Sequence, residues 1–214
     1  NVLVSDTGFK GVIISLKKTF KKFEIQNENN VIYVQTGVML GTMVRKLTSN
    51  NIEGYESLIG VPGTVGGAIY MNAGAFGQEI STKLLSLRTV NQLGMIKKYY
   101  REELSFSYRY SNIPIDEIII DASFKYNYGD KNNITVRKKQ SSIKRKESQP
   151  LKFRSAGSIF KNPSREKAAG YLIEKSGLKG LKVGNAVISN KHANFILNIG
   201  GASSNDVMEL INII

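Results

Sequence analysis

The stretch GVPGTVGGAIYMNAGAFG, residues 60–77, carries six glycines and no charged side chain. A flexible linker would be polar and rich in Gly and Ser. Here Val61, Val65, Ile69, Tyr70 and Met71 stand between the glycines. Two uses suit such backbone. Without Cβ atoms it can approach a ligand closely, and successive free N–H groups in a turn form a concavity for an anion such as phosphate. The same residues also serve close packing of a turn and helix against a sheet. The spacing matches neither G-x-G-x-x-G nor the Walker pattern with its Lys-Ser/Thr end, so neither a Rossmann nor a P-loop site is indicated.

Other reactive groups are few. Zero cysteines exclude disulfides, thiol nucleophiles and Cys-ligated metals. With His192 as the single histidine, a His-rich metal site is not expected. Arg109, in SFSYRYS (105–111), is permanently charged and can grip a carboxylate with two parallel bonds; it could equally pair with a surface acid. Ser158, in SAGSIFKNP (155–163), has the ordinary serine option of bonding backbone in a turn. The net charge of +13 suits either a lysine-solvated surface or an anionic partner. RKKQSSIKRK (137–146) concentrates that charge and raises a nucleic-acid reading, but no RRM, KH or zinc-finger pattern accompanies it. No apolar run reaches the roughly 18 residues that span a bilayer. The absence of cysteine fits a reducing, cytoplasmic setting.

These residues must be positioned by a chain of 214 residues, enough for one large domain or two small ones. NVLVSD (1–6), GVIISL (11–16) and VIYVQTG (31–37) are short, β-branched and bounded by Gly, Asp or Asn, which predicts strands. In VMLGTMVRKLTSNNI (38–52), Leu40, Met43, Val44 and Leu47 fall at helical spacing. LLSLRTVN (84–91), MIKKYYR (95–101) and EIIIDASFKYN (117–127) read as strands, with Gly94 in a hairpin turn. The character changes near residue 130. TVRKKQSSIKRKE (135–147) reads as a solvated helix stopped by Pro150. SREKAAGYLIEKSG (164–177) reads as a helix, with Ser164 the candidate N-cap and Gly177 the stop. AVIS (186–189) and ANFILN (193–198) read as strands. Ser203 and Asp206 make a capping box, after which Val207, Leu210, Ile211 and Ile214 share one helical face. There is no internal repeat.

Four ordered segments resemble one family. GVPGTVGGAIYMNAGAFG is similar to the signature of the UDP-N-acetylenolpyruvoylglucosamine reductases, the MurB flavoenzymes. SFSYRYS resembles that family's Tyr-Arg-x-Ser segment, and SAGSIFKNP its Ala-Gly-Ser-Phe-Phe-Lys-Asn-Pro segment, with Ile159 in place of an aromatic. AGYLIEKSGLKGLKVGNAVISNKHANFILN (169–198) resembles its long C-terminal block. The resemblance implies an α+β fold: an FAD-binding domain of the PCMH/vanillyl-alcohol-oxidase type over residues 1–130, then a smaller C-terminal substrate domain over 131–214. It implies FAD as cofactor, NADPH as reductant, a UDP-sugar as substrate, and reduction of UDP-N-acetylglucosamine enolpyruvate to UDP-N-acetylmuramate for peptidoglycan. No nucleic-acid or membrane partner is implied, and oligomeric state is left open.

Residue roles follow from the same resemblance. Arg109 would stabilise the negative charge left beside the substrate carboxylate, and Ser158 would supply the proton. Asn1, Gly60, Val61, Pro62, Gly63, Thr64, Gly66, Gly67, Ala73 and Gly74 would border FAD. Asn162, Lys161, Tyr108, Tyr128, Lys191 and His192 would contact the nucleotide-sugar, although for His192 a structural hydrogen bond is an equal reading. Family members carry a Gly-Gly-Gly-Ser-Asn loop for the FAD pyrophosphate, to which only Asn1 corresponds. Their third catalytic group, a glutamate, is expected beyond Ile214. The resemblance thus implies a chain incomplete at both ends, with little or no activity as this segment alone. A rival reading is a flavin oxidoreductase of the same superfamily with a covalent flavin, disfavoured because Cys is absent and His192 lies outside the flavin motif. A degenerate, non-catalytic relative is opposed by Arg109 and Ser158 being in place.

Overall fold

The computed structural model describes residues 2–164 and 166–214. Asn1, expected at the cofactor, lies outside the described residues. The chain divides into two compact units: Ile13–Ile143, and Asn1–Val12 together with Lys144–Ile214.

The larger unit is built on a five-stranded antiparallel sheet. Its strands are β1 (Phe23–Gln26), β2 (Val31–Gln35), β5 (Leu84–Val90), β6 (Ile96–Tyr100) and β9 (Ile118–Lys125), in the order β1-β2-β9-β5-β6. Alternation does its usual work: Ile32 and Val34 of β2 point into the core while Tyr33 between them does not. Helix α1 (Leu40–Ser49) buries Leu40, Met43, Val44 and Leu47, the face its spacing predicts. Helix α2 (Val65–Tyr70) adds Val65, Ala68 and Ile69 to the same core. Two small hairpins complete the unit: β3 (Gly74–Ala75) with β4 (Gln78–Glu79), and β7 (Phe106–Ser107) with β8 (Tyr110–Ser111).

The sheet's other face holds one buried carboxylate. Asp121 is 4 % exposed. It accepts from Arg88 Nη2 at 2.5 Å and from the Tyr33 hydroxyl at 2.9 Å. Arg88 stands directly opposite on β5, a cross-strand pair of opposite charge. Asp121→Ala leaves both donors without their acceptor. The expected cost is about 2 kcal/mol, read as a lower denaturation midpoint with an unchanged slope.

The smaller unit has a three-stranded antiparallel sheet, β10 (Lys182–Val183), β11 (Ala186–Ile188) and β12 (Ile196–Asn198). Helices α4 (Ala169–Lys175) and α5 (Ser204–Ile213) add Ile173 and Leu210 to its core. Ile173, Ala186, Ile188, Ala193, Ile196 and Leu210 form its core, with Val207, Ile211 and Ile214 packed against it. The capping box forms as its sequence predicts: Asp206 N donates to Ser203 Oγ at 3.0 Å and Ser203 N to Asp206 Oδ2 at 3.2 Å.

Several expectations are corrected. Residues 2–6 and 11–15 form no strand: Val2, Val4, Val12, Ile13 and Ile14 are exposed. β-Branched composition favours a strand only where a neighbouring strand accepts its backbone bonds. Ser164 does not cap α4, whose N-cap is Ala168; its Oγ instead accepts from Lys167 N at 3.1 Å, in a separate turn. The basic helix α3 (Lys131–Ser148) is longer than its pattern suggests. The division near residue 130 moves to the stretch after Ile143. The reason is that the first half of α3 belongs to the larger unit, where Arg137 donates to Glu56, itself 1 % exposed, at 2.8 Å and to Glu53 at 3.0 Å.

Candidate active site

In the larger unit the glycine stretch closes one end of the sheet. Val65 N donates to Val38 O at 2.8 Å and Gly66 N to Thr36 O at 3.0 Å. Thr36 Oγ1 in turn donates to Ile119 O at 2.8 Å. The start of α2 is thereby tied to β2 and β9. A Cβ at Gly66 would stand 2.7 Å from Thr36 Cβ, so only glycine permits this approach. Gly63 adopts φ +107° with open space where a side chain would project. Thr64 caps α2, its side chain accepting from Gly67 N at 3.4 Å.

A cleft of about 540 Å³ lies against this backbone, bordered by Thr36, Thr64, Gly66, Gly67, Ile118 and Ile119 among others. That volume is within the range of small-molecule sites. A Cβ at Gly67 would meet only Thr64 Oγ1, at 3.9 Å, so the floor is bare backbone. Bare glycine backbone beside apolar residues such as Ile13, Ile14 and Ile118 suits a flat, largely apolar ring system, and the residues present fit FAD. Not all of the expected cofactor residues face this cleft. Val61 and Ala73 pack in the core, and Gly74 presents its carbonyl to Arg109.

The two glycines should separate experimentally. Gly66→Ala must displace Thr36 and is expected to cost about 1–3 kcal/mol. Gly67→Ala meets no obstruction, and alanine is the better helix former by up to about 1 kcal/mol, so stability should hold or rise. Its methyl enters the cleft, however, and flavin affinity should fall. Thermal melts of the apoprotein and flavin titration check the two effects separately.

Arg109 occupies the second position of the two-residue loop joining β7 to β8, at φ +55°, a region sparsely used by non-glycine residues. Its Nη2 donates to Gly74 O at 3.0 Å and its Nη1 lies 3.5 Å from Asn72 O. The guanidinium thus stands at the C-terminal end of the glycine stretch, with the Tyr108 ring centre 5.0 Å from its Cζ. The hairpin is fastened to the end of α2 by Ser111 Oγ to Tyr70 O, 2.7 Å. Tyr128 is not brought to this place. Its hydroxyl donates to Asn27 Oδ1 at 3.2 Å in the β1–β2 connection, the end of the sheet away from Thr36 and Ile119.

In the smaller unit Ser158 is exposed and pairs through its backbone with Phe195. Gly157 before it has φ +88°. Phe160, two residues on, is held by one buried side chain: Asn194 Oδ1 accepts from Phe160 N at 2.9 Å, and Asn194 Nδ2 donates to Phe160 O at 2.8 Å. Asn162 Oδ1 accepts from Ala169 N at 3.0 Å, which ties SIFKNP to the start of α4. Lys191 Nζ donates to Lys146 O at 2.6 Å. His192 lies edge-on to Phe195, 4.9 Å between ring centres. Its Nδ1 accepts from Asn194 N at 3.3 Å, which places the proton of the neutral ring on Nε2. Burial pushes the imidazole below its ordinary pKa. These contacts favour the structural reading of His192.

Sequence reasoning missed Thr36, Asn72, Glu79 and Asn194, which hold the others in place. Each is a common polar residue whose sequence neighbours give no sign of its partners.

Comparison with known proteins bears on both units. Residues 1–99 match the FAD binding domain model, and residues 149–214 match the model described as UDP-N-acetylenolpyruvoylglucosamine reductase, C-terminal domain. The chain is 44 % identical over 213 residues to a UDP-N-acetylenolpyruvoylglucosamine reductase of Carboxydothermus hydrogenoformans, covering 99 % of this chain and 70 % of that protein. It is 43 % identical over 215 residues to the protein of that name from Clostridium tetani, covering 100 % of this chain and 69 % of the relative. Its fold is similar to the crystal structure of the Thermus caldophilus reductase (MurB), with a TM-score of 0.82 at 37 % identity, over 91 % of this chain and 70 % of that one.

Proposed function

Because the chain belongs to the UDP-N-acetylenolpyruvoylglucosamine reductase family, we propose that it reduces the enolpyruvyl group of UDP-N-acetylglucosamine enolpyruvate, with NADPH as reductant, to UDP-N-acetylmuramate for peptidoglycan. The family are oxidoreductases, and FAD is the cofactor that the N-terminal match and the glycine-floored cleft support.

When bound, FAD supplies the hydride chemistry. Thr64, Gly66 and Gly67 would hold it by main chain and cap, with the apolar Ile118 bordering the same cleft. Hydride added to the terminal alkene carbon leaves negative charge on the carbon that bears the carboxylate. Arg109 grips that carboxylate and offsets the charge, as a permanently protonated fork can. Ser158 Oγ–H delivers the proton that completes the reduction. Lys161 and Asn162, three and four residues on, engage the nucleotide-sugar, with Lys191 and Tyr108 as further contacts. Tyr128 drops out of this set because of its place on the sheet, and His192 is kept as a structural support.

The observation that carries this reading is the seat of Arg109: an arginine in strained backbone, fastened to the carbonyls of the glycine stretch. The test is the product of the complete coding sequence. It should purify yellow, its flavin spectrum should shift on adding the enolpyruvyl UDP-sugar, and NADPH should be consumed one for one with that sugar. A colourless protein that binds DNA with a steep salt dependence would replace this reading with the nucleic-acid one.

A further inference from the structure

The roles above make no use of the carboxamide of Asn72, although it is completely buried. Its backbone lies at φ +41°, just past the last turn of α2. Asn72 N donates to Ile69 O at 3.0 Å and Ala73 N to Ala68 O at 2.7 Å, the paired bonds of a Schellman helix stop. Glycine is the ordinary residue at that position. Asparagine tolerates the conformation, but the stop itself needs no side chain.

The side chain is nevertheless fully engaged on one end. Nδ2 donates to Glu79 Oε2 at 2.8 Å and to Ser107 O at 3.0 Å. Both partners only accept, so the amide orientation is fixed; turned over, Oδ1 would face a carboxylate and a carbonyl. In the fixed orientation Oδ1 has no hydrogen-bond partner, alone among the buried side-chain atoms of the described residues. A buried unmet acceptor costs stability. Glycine would make the same helix stop without that cost. The amide is therefore kept for what Nδ2 holds.

What it holds leads to Arg109. Ser107 is the last residue before the Tyr108–Arg109 loop, and its carbonyl is fixed by the Asn72 side chain. The Asn72 carbonyl itself receives Arg109 Nη1. One residue thus steadies the hairpin by its side chain and the guanidinium by its main chain, while Glu79 on β4 steadies the amide. We propose that Asn72, oriented by Glu79, is a positioning residue that aims Arg109 for reduction of the enolpyruvyl group. This rests on the carboxylate-binding role given to Arg109 above.

Asn72→Gly tests it, since glycine keeps the helix stop and removes only the amide. In the complete protein, flavin reduction by NADPH should stay within about twofold. Reoxidation by the enolpyruvyl sugar should slow by about 30-fold or more at saturating substrate, with flavin content unchanged. Glu79→Gln, which still accepts from Nδ2, should stay within about threefold, whereas Glu79→Ala should resemble Asn72→Gly. Combined with Arg109→Lys, Asn72→Gly should add little, because both act through one guanidinium. Multiplying losses in the double variant, or reoxidation at the parent rate in Asn72→Gly, overturns the proposal. An independent arm uses no substrate: the Arg109 Nε–Hε NMR resonance should be resolved in the parent and averaged with solvent-exposed arginines in Asn72→Gly. An unchanged resonance overturns positioning. Failure of the parent to reduce the sugar while that resonance responds would instead sink the functional reading and leave the clamp standing.

Discussion

Ser158→Ala is expected to leave flavin reduction by NADPH untouched and to slow transfer to the enolpyruvyl sugar by about 10²–10⁴, the usual contribution of a positioned proton donor. A serine hydroxyl is a weak acid, so it can serve only next to a strongly basic carbanion, and water replaces it poorly once the site excludes solvent. The substitution is clean on structural grounds. The backbone around residue 158 is held by its pairing with Phe195, by Ile159 N to Asn194 O at 3.0 Å, and by the Asn194 amide that grips Phe160 from both sides. None of these bonds uses Ser158 Oγ. The melting temperature should therefore stay within about 2 °C, since an exposed hydroxyl contributes little to stability. Stopped-flow absorbance separates the two half-reactions. Ser158→Cys, which keeps a donor of different acidity, should recover part of the rate. Reoxidation of the alanine variant within threefold of the parent would remove Ser158 from the chemistry.

The parts of the fold that were legible in the sequence are those where one strong local signal agreed with burial. Leu40, Met43, Val44 and Leu47 announce α1 by spacing alone, and the Ser203–Asp206 box announces the start of α5. Strands failed where propensity lacked a partner, as in residues 2–6 and 11–15. The short β1, with its mixed polar and apolar FEIQ, gave no pattern to read. The basic helix shows a different limit. Its charge invites a nucleic-acid reading, yet Arg137 is spent on the buried Glu56, a contact between residues far apart in sequence that composition cannot reveal.

The candidate site divides in the same way. Arg109, Ser158 and the glycine stretch took their expected ligand roles from the family resemblance, since their residue types alone left a surface ion pair, a turn and close packing open. The residues that hold them were given no role by it. Thr36 fixes Gly66, Asn72 fixes the Arg109 hairpin and Asn194 fixes Phe160 beside Ser158, each through backbone atoms distant in sequence. Their chemistry is ordinary, and only the fold gives it meaning. Tyr128 is the converse: a residue that the resemblance offers as a nucleotide-sugar contact, but which the strand carries to the other end of the sheet.

Arg109 offers the other large effect, and three substitutions divide its contributions. Arg109→Ala removes the cation and should slow sugar reduction by about 10³, near the upper end of what one stabilising donor contributes. Arg109→Lys keeps the charge but replaces a rigid fork with a single point. An ammonium cannot hold Gly74 O and present a second face to a carboxylate in fixed geometry, so about 10² should still be lost, with the sugar's KM raised as well. Arg109→Gly is the most informative. At φ +55° a side-chain-bearing residue is disfavoured by about 1–2 kcal/mol, and glycine relieves that strain. Weighed against it are the guanidinium bonds to Gly74 and Asn72, each part-buried and worth about 1 kcal/mol net. The relieved strain offsets part of those bonds and of the Tyr108 contact, so Arg109→Gly should lose less stability than Arg109→Ala while reducing the sugar as poorly. Should the glycine variant instead unfold at much lower denaturant with its residual rate intact, Arg109 would be a structural clasp for the glycine stretch and its catalytic role would fall.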